Sequence, residues 1–404
     1  MRTPTQVTQA TIMEVWLAGE VAISSKGPLS DAACMCRRQM HLLSLLLALV
    51  SSAHALIANE RWVLASRPSG DFRASDLRLE AEAISEDELE EGEVIVRVDT
   101  LSIEAFYRTT LDAEAYHGST AIGATAPALG IGEVISVGKK AKHKKGAKVV
   151  GMLGAQRFSR VASAQVQPAA ALPGSTPTDA LGRLGISGLT AWVGVAAVTK
   201  PPKKGDVVIV SAAAGATGSM AAQIAKARGA RVIGVAGGPA KCAFLTEKLG
   251  LDGSIDYKRS NETLGAQLDR LAPDGVDFFF DNVGGDILDA VLPRMRRKGR
   301  IVLCGGIAHY GKGDVNKGTV KGPSQYLKLA EKGASMHGYN VMFYLPAKLP
   351  AFLWQMLWLI WKRKVVMYEH VEKGLGRFAI AMESMFKGGN TGKMLVQVAE
   401  EASA

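Results

Sequence analysis

Residues 208–219, VIVSAAAGATGS, constrain this chain more than any other stretch. An apolar, β-branched run leads straight into a loop of Ala and Gly, and an alanine-rich helix is predicted over 219–228. The spacing Ala213-x-Gly215-x-x-Gly218 is that of a dinucleotide-binding turn with Ala in the first Gly place. There Gly215 lets the backbone approach a pyrophosphate, and Gly218 lets helix and strand pack closely. Ala216 and Thr217 complete the turn as candidate cofactor contacts, and the helix N-terminus that follows points its unsatisfied N–H groups at the phosphates. Small-residue turns also join strands to helices for packing alone, so the surroundings decide.

Those surroundings alternate. Strands are predicted at 206–211, Arg231–Ala236, 253–257, Val276–Asp281 and 300–305, with helices over 241–249, 262–271 and 285–295. Short apolar runs separated by helical patterns predict a parallel, doubly wound sheet, an α/β Rossmann domain.

At 404 residues the chain exceeds one such unit, so a second domain is expected. With 48% hydrophobic and 21% charged residues it is an ordinary globular composition, not a disordered one. Six lysines in the run 139–148, KKAKHKKGAK, supply much of the net charge of +10. Gly138 and Gly146 frame that run as an exposed turn between strands. No zinc-knuckle, RNA-recognition or basic-helix pattern accompanies it, so no nucleic-acid partner is expected. Cys34, Cys36, Cys242 and Cys304 form no C-x-x-C pair and no zinc quartet.

The first 59 residues are read as lying outside the fold. Arg37 and Arg38 precede the apolar run 42–50, which ends in Ser51-Ser52-Ala53-His54-Ala55. That is the pattern of a secretory-type leader, too short to span a bilayer, and it implies the endoplasmic reticulum or a plastid. The alternative is a disordered extension on a cytoplasmic protein.

Residues 60–183 show short alternating strands, clearest at Glu93–Ser102, 130–138 and Lys148–Met152, and predict a small, mainly β domain. The Rossmann unit is placed at 184–333. Residues 334–404 are expected to return to the β domain.

This arrangement resembles the medium-chain dehydrogenase/reductase superfamily, in which a GroES-like β domain carries an inserted Rossmann domain. The motifs look most like its zinc-independent prostaglandin reductase, alkenal double-bond reductase and quinone oxidoreductase group. They are Gly188-Leu189-Thr190-Ala191-Trp192, the 212–218 turn, Ile255-Asp256-Tyr257-Lys258, Asp281-Asn282-Val283-Gly284-Gly285, residues 305–310 and Gly389-Asn390-Thr391-Gly392-Lys393. One segment departs: relatives carry Asp-Pro-Tyr-Met-Arg where this chain has Glu104-Ala105-Phe106-Tyr107-Arg108. The usual tyrosine hydroxyl is either missing or shifted by one residue.

Zinc dehydrogenases of the superfamily place Cys and Gly-His-Glu ligands where this chain reads Leu101-Ser102-Ile103 and Gly130-Ile131-Gly132-Glu133. Glu133 alone cannot make a three-ligand site, so no metal is expected. Reducing an isolated carbonyl would then build an alkoxide with no Lewis acid beside it. Hydride addition to the β-carbon of an enone builds a delocalised enolate that hydrogen-bond donors can hold. The expectation is an NADPH-dependent, zinc-independent reductase of α,β-unsaturated aldehydes or ketones, with lipid-derived enones as one candidate class. A quinone reductase is the close alternative, and a nonenzymatic NADPH-binding protein the distant one.

Tyr310, after the fifth predicted strand, is the candidate hydrogen-bond or proton donor, or else a structural turn tyrosine. NADPH over NADH follows from the end of the second strand, Ala236-Gly237-Gly238, which carries no acid for a ribose hydroxyl and is followed by Lys241. Lys241 suits a 2′-phosphate; otherwise it is a solvated lysine at a helix start. The resemblance adds Tyr257 as a second phosphate contact, and Thr190, Asn282, Val283, Gly306 and Asn390 around the cofactor. Each Asn is alternatively a turn former. A homodimer is expected.

Leu349–Trp361, LPAFLWQMLWLIW, is almost wholly apolar with three Trp at helical spacing and ends in Lys362-Arg363-Lys364. It cannot span a membrane as a helix but can lie at a membrane surface; a packed helix or a subunit contact is the alternative.

Overall fold

The computed structural model describes residues 56–399 except 116, 170, 171, 173, 260, 312 and 313. The expected leader lies outside the described residues. Among the described residues the first strand starts at Leu56. Strand β1 (Leu56–Leu64) pairs antiparallel with β2 (Leu77–Ser85) along its whole length, with Leu56 opposite Ser85. Asn59, placed in the extension by sequence, is buried there. Its amide reaches Glu82 and Gln156, and its oxygen takes the Phe158 N–H, so pairing rather than hydrophobicity sets the boundary.

The β domain continues with β3 (Glu93–Ser102), β4 (Leu129–Val137), β5 (Lys148–Met152), β6 (Phe158–Ala162) and β7 (Gln167–Pro168). The basic run 139–148 forms the turn between β4 and β5. Lys140 pairs with Glu91, and Lys148 lies 2.7 Å from Asp99 and 3.2 Å from Glu133.

The parallel sheet consists of β8 (Val207–Val210), β9 (Arg231–Ala236), β10 (Gly253–Asp256), β11 (Val276–Asp281), β12 (Met295–Leu303) and β13 (Ser335–Gly338). Its order is β10-β9-β8-β11-β12-β13, every neighbour parallel. This is the dinucleotide-fold order, with its switch point between β8 and β11. Val207–Val210 and Phe278, Phe279 and Phe280 are buried because helices cover both faces of the sheet. Helix α1 (Ile186–Ala196) packs beside α2 (Ala216–Ala227), which follows β8.

Two expectations about the tail need correcting. β13 pairs in parallel with β12, Arg300 opposite Ser335, so it belongs to the Rossmann sheet. Helix α3 (Leu349–Trp361) likewise sinks Phe352, Met356, Leu359 and Ile360 into the Rossmann core. The sequence SMHG has no periodicity that could assign it to either sheet. The return to the β domain starts only with β14 (Glu369–Lys373) and β15 (Lys393–Gln397), giving the order β14-β15-β3-β4-β5-β7, with β6 on β3.

Candidate active site

At the switch point, β8 ends in Ser211 and the chain turns through Ala212, whose φ of 49° is a left-handed conformation that a non-glycine residue adopts at a cost. α2 then starts from Gly215, which supplies no capping side chain, so the first amide groups of the helix keep their hydrogens for another acceptor. A Cβ on Gly218 would lie 2.2 Å from the Ala212 carbonyl oxygen, which explains glycine there as a packing requirement. At Gly215 the nearest atom would be 3.4 Å away, leaving room for a phosphate to approach the backbone. Ala213 is buried beneath the turn; Gly215, Ala216 and Thr217 are half-exposed. The second domain closes on this turn: Gly392 N–H donates to the Ala214 carbonyl at 2.7 Å, and Gly215 and Gly392 form a β-bridge.

The Asn282-Val283-Gly284 turn is organised by Asp281, which is buried. Its carboxylate accepts the Ser211 hydroxyl at 2.8 Å and the amides of Val283 and Gly284 at 3.0 and 3.1 Å. Burial pushes this carboxyl above its usual pKa, while those hydrogen bonds pull the other way. Asn282 gives its side-chain amide to the Ser211 carbonyl at 2.7 Å, and Asn390 gives its own to the Gly392 carbonyl at 2.8 Å. Both amide nitrogens therefore act as turn formers. The backbone of Asn282 and Val283 accepts from Ile307 and Ala308, which draws Gly306 and Tyr310 to the same edge. The Tyr310 phenol oxygen accepts the Gly306 N–H at 3.4 Å. Thr190, half-buried on α1, accepts the Tyr339 hydroxyl on its carbonyl at 2.7 Å.

At the ends of β9 and β10 lies a cationic corner. The Tyr257 ring lies so close to Gly237 that a Cβ there would stand 2.8 Å from it. Lys241 is half-buried; burial and then the charge of Lys258 lower its pKa. The nearby carboxylate, Asp256, turns to the backbone: one oxygen accepts the N–H of Gly238 at 2.7 Å and of Lys258 at 2.9 Å. Two lysines and a phenol thus form a corner suited to a phosphate monoester. Lys258 was visible in the sequence only as part of a motif.

The β-domain side holds a cluster the sequence did not single out. Glu104, beyond β3, accepts the Ser102 hydroxyl at 2.7 Å and pairs with Lys393, whose ammonium also reaches Ser187 of α1 at 3.3 Å. Lys393 is 1% and Glu104 9% exposed. This buried ion pair therefore borders Ser102, at the end of β3. Among the described residues no three His, Cys, Asp or Glu side chains are grouped to hold a metal. Arg108 is buried too. It donates to Asp112 at 2.8 Å and to the carbonyls of Gly70 and Gly311 at 3.0 Å, which ties the residue after Tyr310 to the β domain. Asn316 adds bonds to Thr109 and Asp112 at 2.8 and 2.7 Å. The contacts of Lys393, of Asn316 and of Arg108 with Gly70 and Gly311 span long stretches of chain, which no local pattern reveals.

The Phe106-Tyr107 pair lies at the segment where the sequence departs from the resembled family. Tyr107 is buried and its oxygen accepts the Leu129 N–H at 2.6 Å, so that hydroxyl is used inside the β domain. Burial raises its pKa well above the ordinary phenol value. Phe106 lies edge-on to the rings of Tyr107 and His117. Cys304, at the end of β12, is a thiol whose pKa burial pushes up to about 12.

Comparisons with known proteins agree with this geometry. The zinc-binding dehydrogenase family matches residues 216–355, and the N-terminal domain of oxidoreductase matches 60–169. The chain is 34% identical over 363 residues to the NADP(+)-dependent 2-alkenal reductase of Nicotiana tabacum, covering 85% of this chain and 99% of that one. It is 30% identical over 342 residues to the NADPH-dependent curcumin reductase of Escherichia coli, covering 84% and 97%. The crystal structure of CurA from Vibrio vulnificus in complex with NADPH superposes with a TM-score of 0.76 at 31% identity, covering 85% of this chain and all of that one. The chain therefore belongs to the medium-chain dehydrogenase/reductase superfamily, in its zinc-independent, NADP-dependent alkenal and quinone reductase group.

Proposed function

We propose that the chain is an NADPH-dependent reductase that saturates the conjugated C=C bond of α,β-unsaturated aldehydes and ketones, lipid-derived enones among them. The observation that carries the reading is the cationic corner of Lys241, Tyr257 and Lys258, set on the same sheet edge as the Gly215 turn and Tyr310. The likeness to reductases of 2-alkenals and of curcumin supports it.

Bound NADPH supplies the hydride. The turn before α2 binds the pyrophosphate, and the two lysines with Tyr257 bind the 2′-phosphate. Asp281 fixes the floor of the cleft through the Asn282-Val283 turn. Tyr310 hydrogen-bonds the substrate carbonyl oxygen, whose charge grows as the β-carbon accepts hydride.

The test is steady-state turnover with 2-alkenals, 15-oxo lipids and quinones, each with NADPH and NADH. Saturated aldehyde or ketone formed with NADPH in preference to NADH is expected. Turnover of quinones alone would make the protein a quinone reductase, and tight NADPH binding with no turnover would make it a binding protein. A homodimer belongs to the same reading, supported by β13 at the edge of the parallel sheet, a strand open to further pairing. Entry into the endoplasmic reticulum or a plastid rests on the leader pattern alone, and N-terminal sequencing of the mature protein tests it.

A further inference from the structure

Helix α3 has two unlike faces. Phe352, Met356, Leu359 and Ile360 are buried in the Rossmann core, and the Trp192 indole donates to Gln355 at 2.9 Å. The opposite stripe carries Trp354, Trp358 and Trp361, exposed by 70%, 47% and 71%. The turn leading into the helix adds Phe343, exposed by 85%, and Met342. Single exposed apolar residues are normal, but five large ones on one helix and its approach are not.

The charge around this patch has one sign. No Asp or Glu occurs between Glu331 and Glu369. Exposed Lys348 precedes the helix, and exposed Lys362, Arg363 and Lys364 follow it, with the Lys362 ammonium 4.1 Å from the Trp361 ring centre. Arg363 and Lys364 also line a cavity of about 620 Å³ with Lys226 and Arg231, where Asp252 is the sole acid. The helix is held firmly at this end: Gln223 of α2 exchanges hydrogen bonds with the backbone of Val366 at 2.8 and 2.9 Å.

The geometry points to the outer face of α3 as a docking surface for an anionic lipid bilayer. Indole rings favour the boundary between headgroups and acyl chains, being apolar bodies with one N–H donor. The flanking cations would meet lipid phosphates and carboxylates, and the basic cavity is large enough to seat a headgroup. A second copy of the chain fits this face less well. Parallel or antiparallel, two α3 helices would bring basic ends against basic ends.

Co-sedimentation of the full chain tests the assignment, using vesicles of phosphatidylcholine alone and of phosphatidylcholine with phosphatidylserine. The chain is expected to sediment with the mixed vesicles, to be released by salt, and to leave neutral vesicles largely unbound. Neutralising Lys362→Gln, Arg363→Gln and Lys364→Gln together should weaken partitioning on the order of a hundredfold. Trp354→Ser, Trp358→Ser and Trp361→Ser together should abolish it while leaving thermal melting unchanged. Should melting fall, the single change Trp354→Ser, at one open end of the stripe, carries the test. Sedimentation that is absent, indifferent to phosphatidylserine, or retained in the Trp variants would overturn the proposal. So would a dimer that the Trp changes split in a chain that ignores vesicles, which would assign the face to a second copy.

Discussion

The two ends of the cleft are assembled differently. At the adenosine end, Gly237, Gly238 and Lys241 follow β9 directly and Tyr257 and Lys258 follow β10, so adjacent turns supply the whole corner. At the substrate end, Glu104, Ser187 and Lys393 come from three distant segments and are fixed by buried polar bonds, while Tyr310, from a fourth, accepts the nearby Gly306 N–H. A phosphate monoester is recognised by charge and backbone donors that a short turn can present. A substrate-facing wall needs the two domains held in register, and here side-chain bonds across the interface hold them. If that contrast is right, mutations at the substrate end should cost stability as well as activity. Those at the adenosine end should cost cofactor affinity alone.

The largest effect is expected at Lys393. Lys393→Met leaves Glu104 charged and unpaired in a buried site, a loss of about 3–5 kcal/mol of stability by urea unfolding. Adding Glu104→Gln should recover part of it. Unchanged unfolding of Lys393→Met would break the contrast at its strongest point.

Next comes chemistry. Tyr310→Phe should lower kcat with 2-alkenals by about a hundredfold while NADPH binding stays near wild type. An equal loss of cofactor affinity would instead make the phenol a cofactor contact. The same end holds Cys304, where a pKa of about 12 keeps the sulfur a thiol at neutral pH. Its alkylation by an enone should run on the order of a hundredfold slower than that of a free thiol, read by peptide mass spectrometry. Because the shift is upward, raising the pH toward that value should speed it. A protein that turns over Michael acceptors gains from such a thiol.

At the adenosine end, Lys241→Ala should cost about tenfold in kcat/KM for NADPH, none for NADH, and no stability. The Lys241 pKa is lowered, so the preference for NADPH should fade at a lower pH than an ordinary lysine would allow. Lys258→Ala should add to the loss.

What could be read in advance follows the same divide. The strands Arg231–Ala236 and Val276–Asp281 and the turn after β8 are carried by contiguous residues, and their patterns predicted them. Lys393 sits in a motif, but its partner Glu104 lies far back along the chain. Arg108 likewise reveals its role only through Gly70 and Gly311. The strand at Ser335–Gly338 was assigned to the wrong domain because four residues of mixed polarity name no partner.

The smallest expected effect is the most discriminating. Phe106 lies in the segment where the resembled family carries a tyrosine, beside a Tyr107 whose hydroxyl is spent on the Leu129 N–H. Phe106→Tyr offers one new neutral hydrogen bond to the substrate, worth about 0.5–1.5 kcal/mol and so a two- to tenfold gain in kcat/KM. It should leave melting unchanged, because Phe106 is only half-buried. Tyr107→Phe should do the reverse, stranding a buried amide at about 1–3 kcal/mol without altering substrate preference. If Phe106→Tyr instead lowers stability and slows every substrate alike, Phe106 is a packing residue. Substrate choice would then rest on Tyr310 and the interface bonds, and the substrate end would owe even more to long-range structure than the adenosine end.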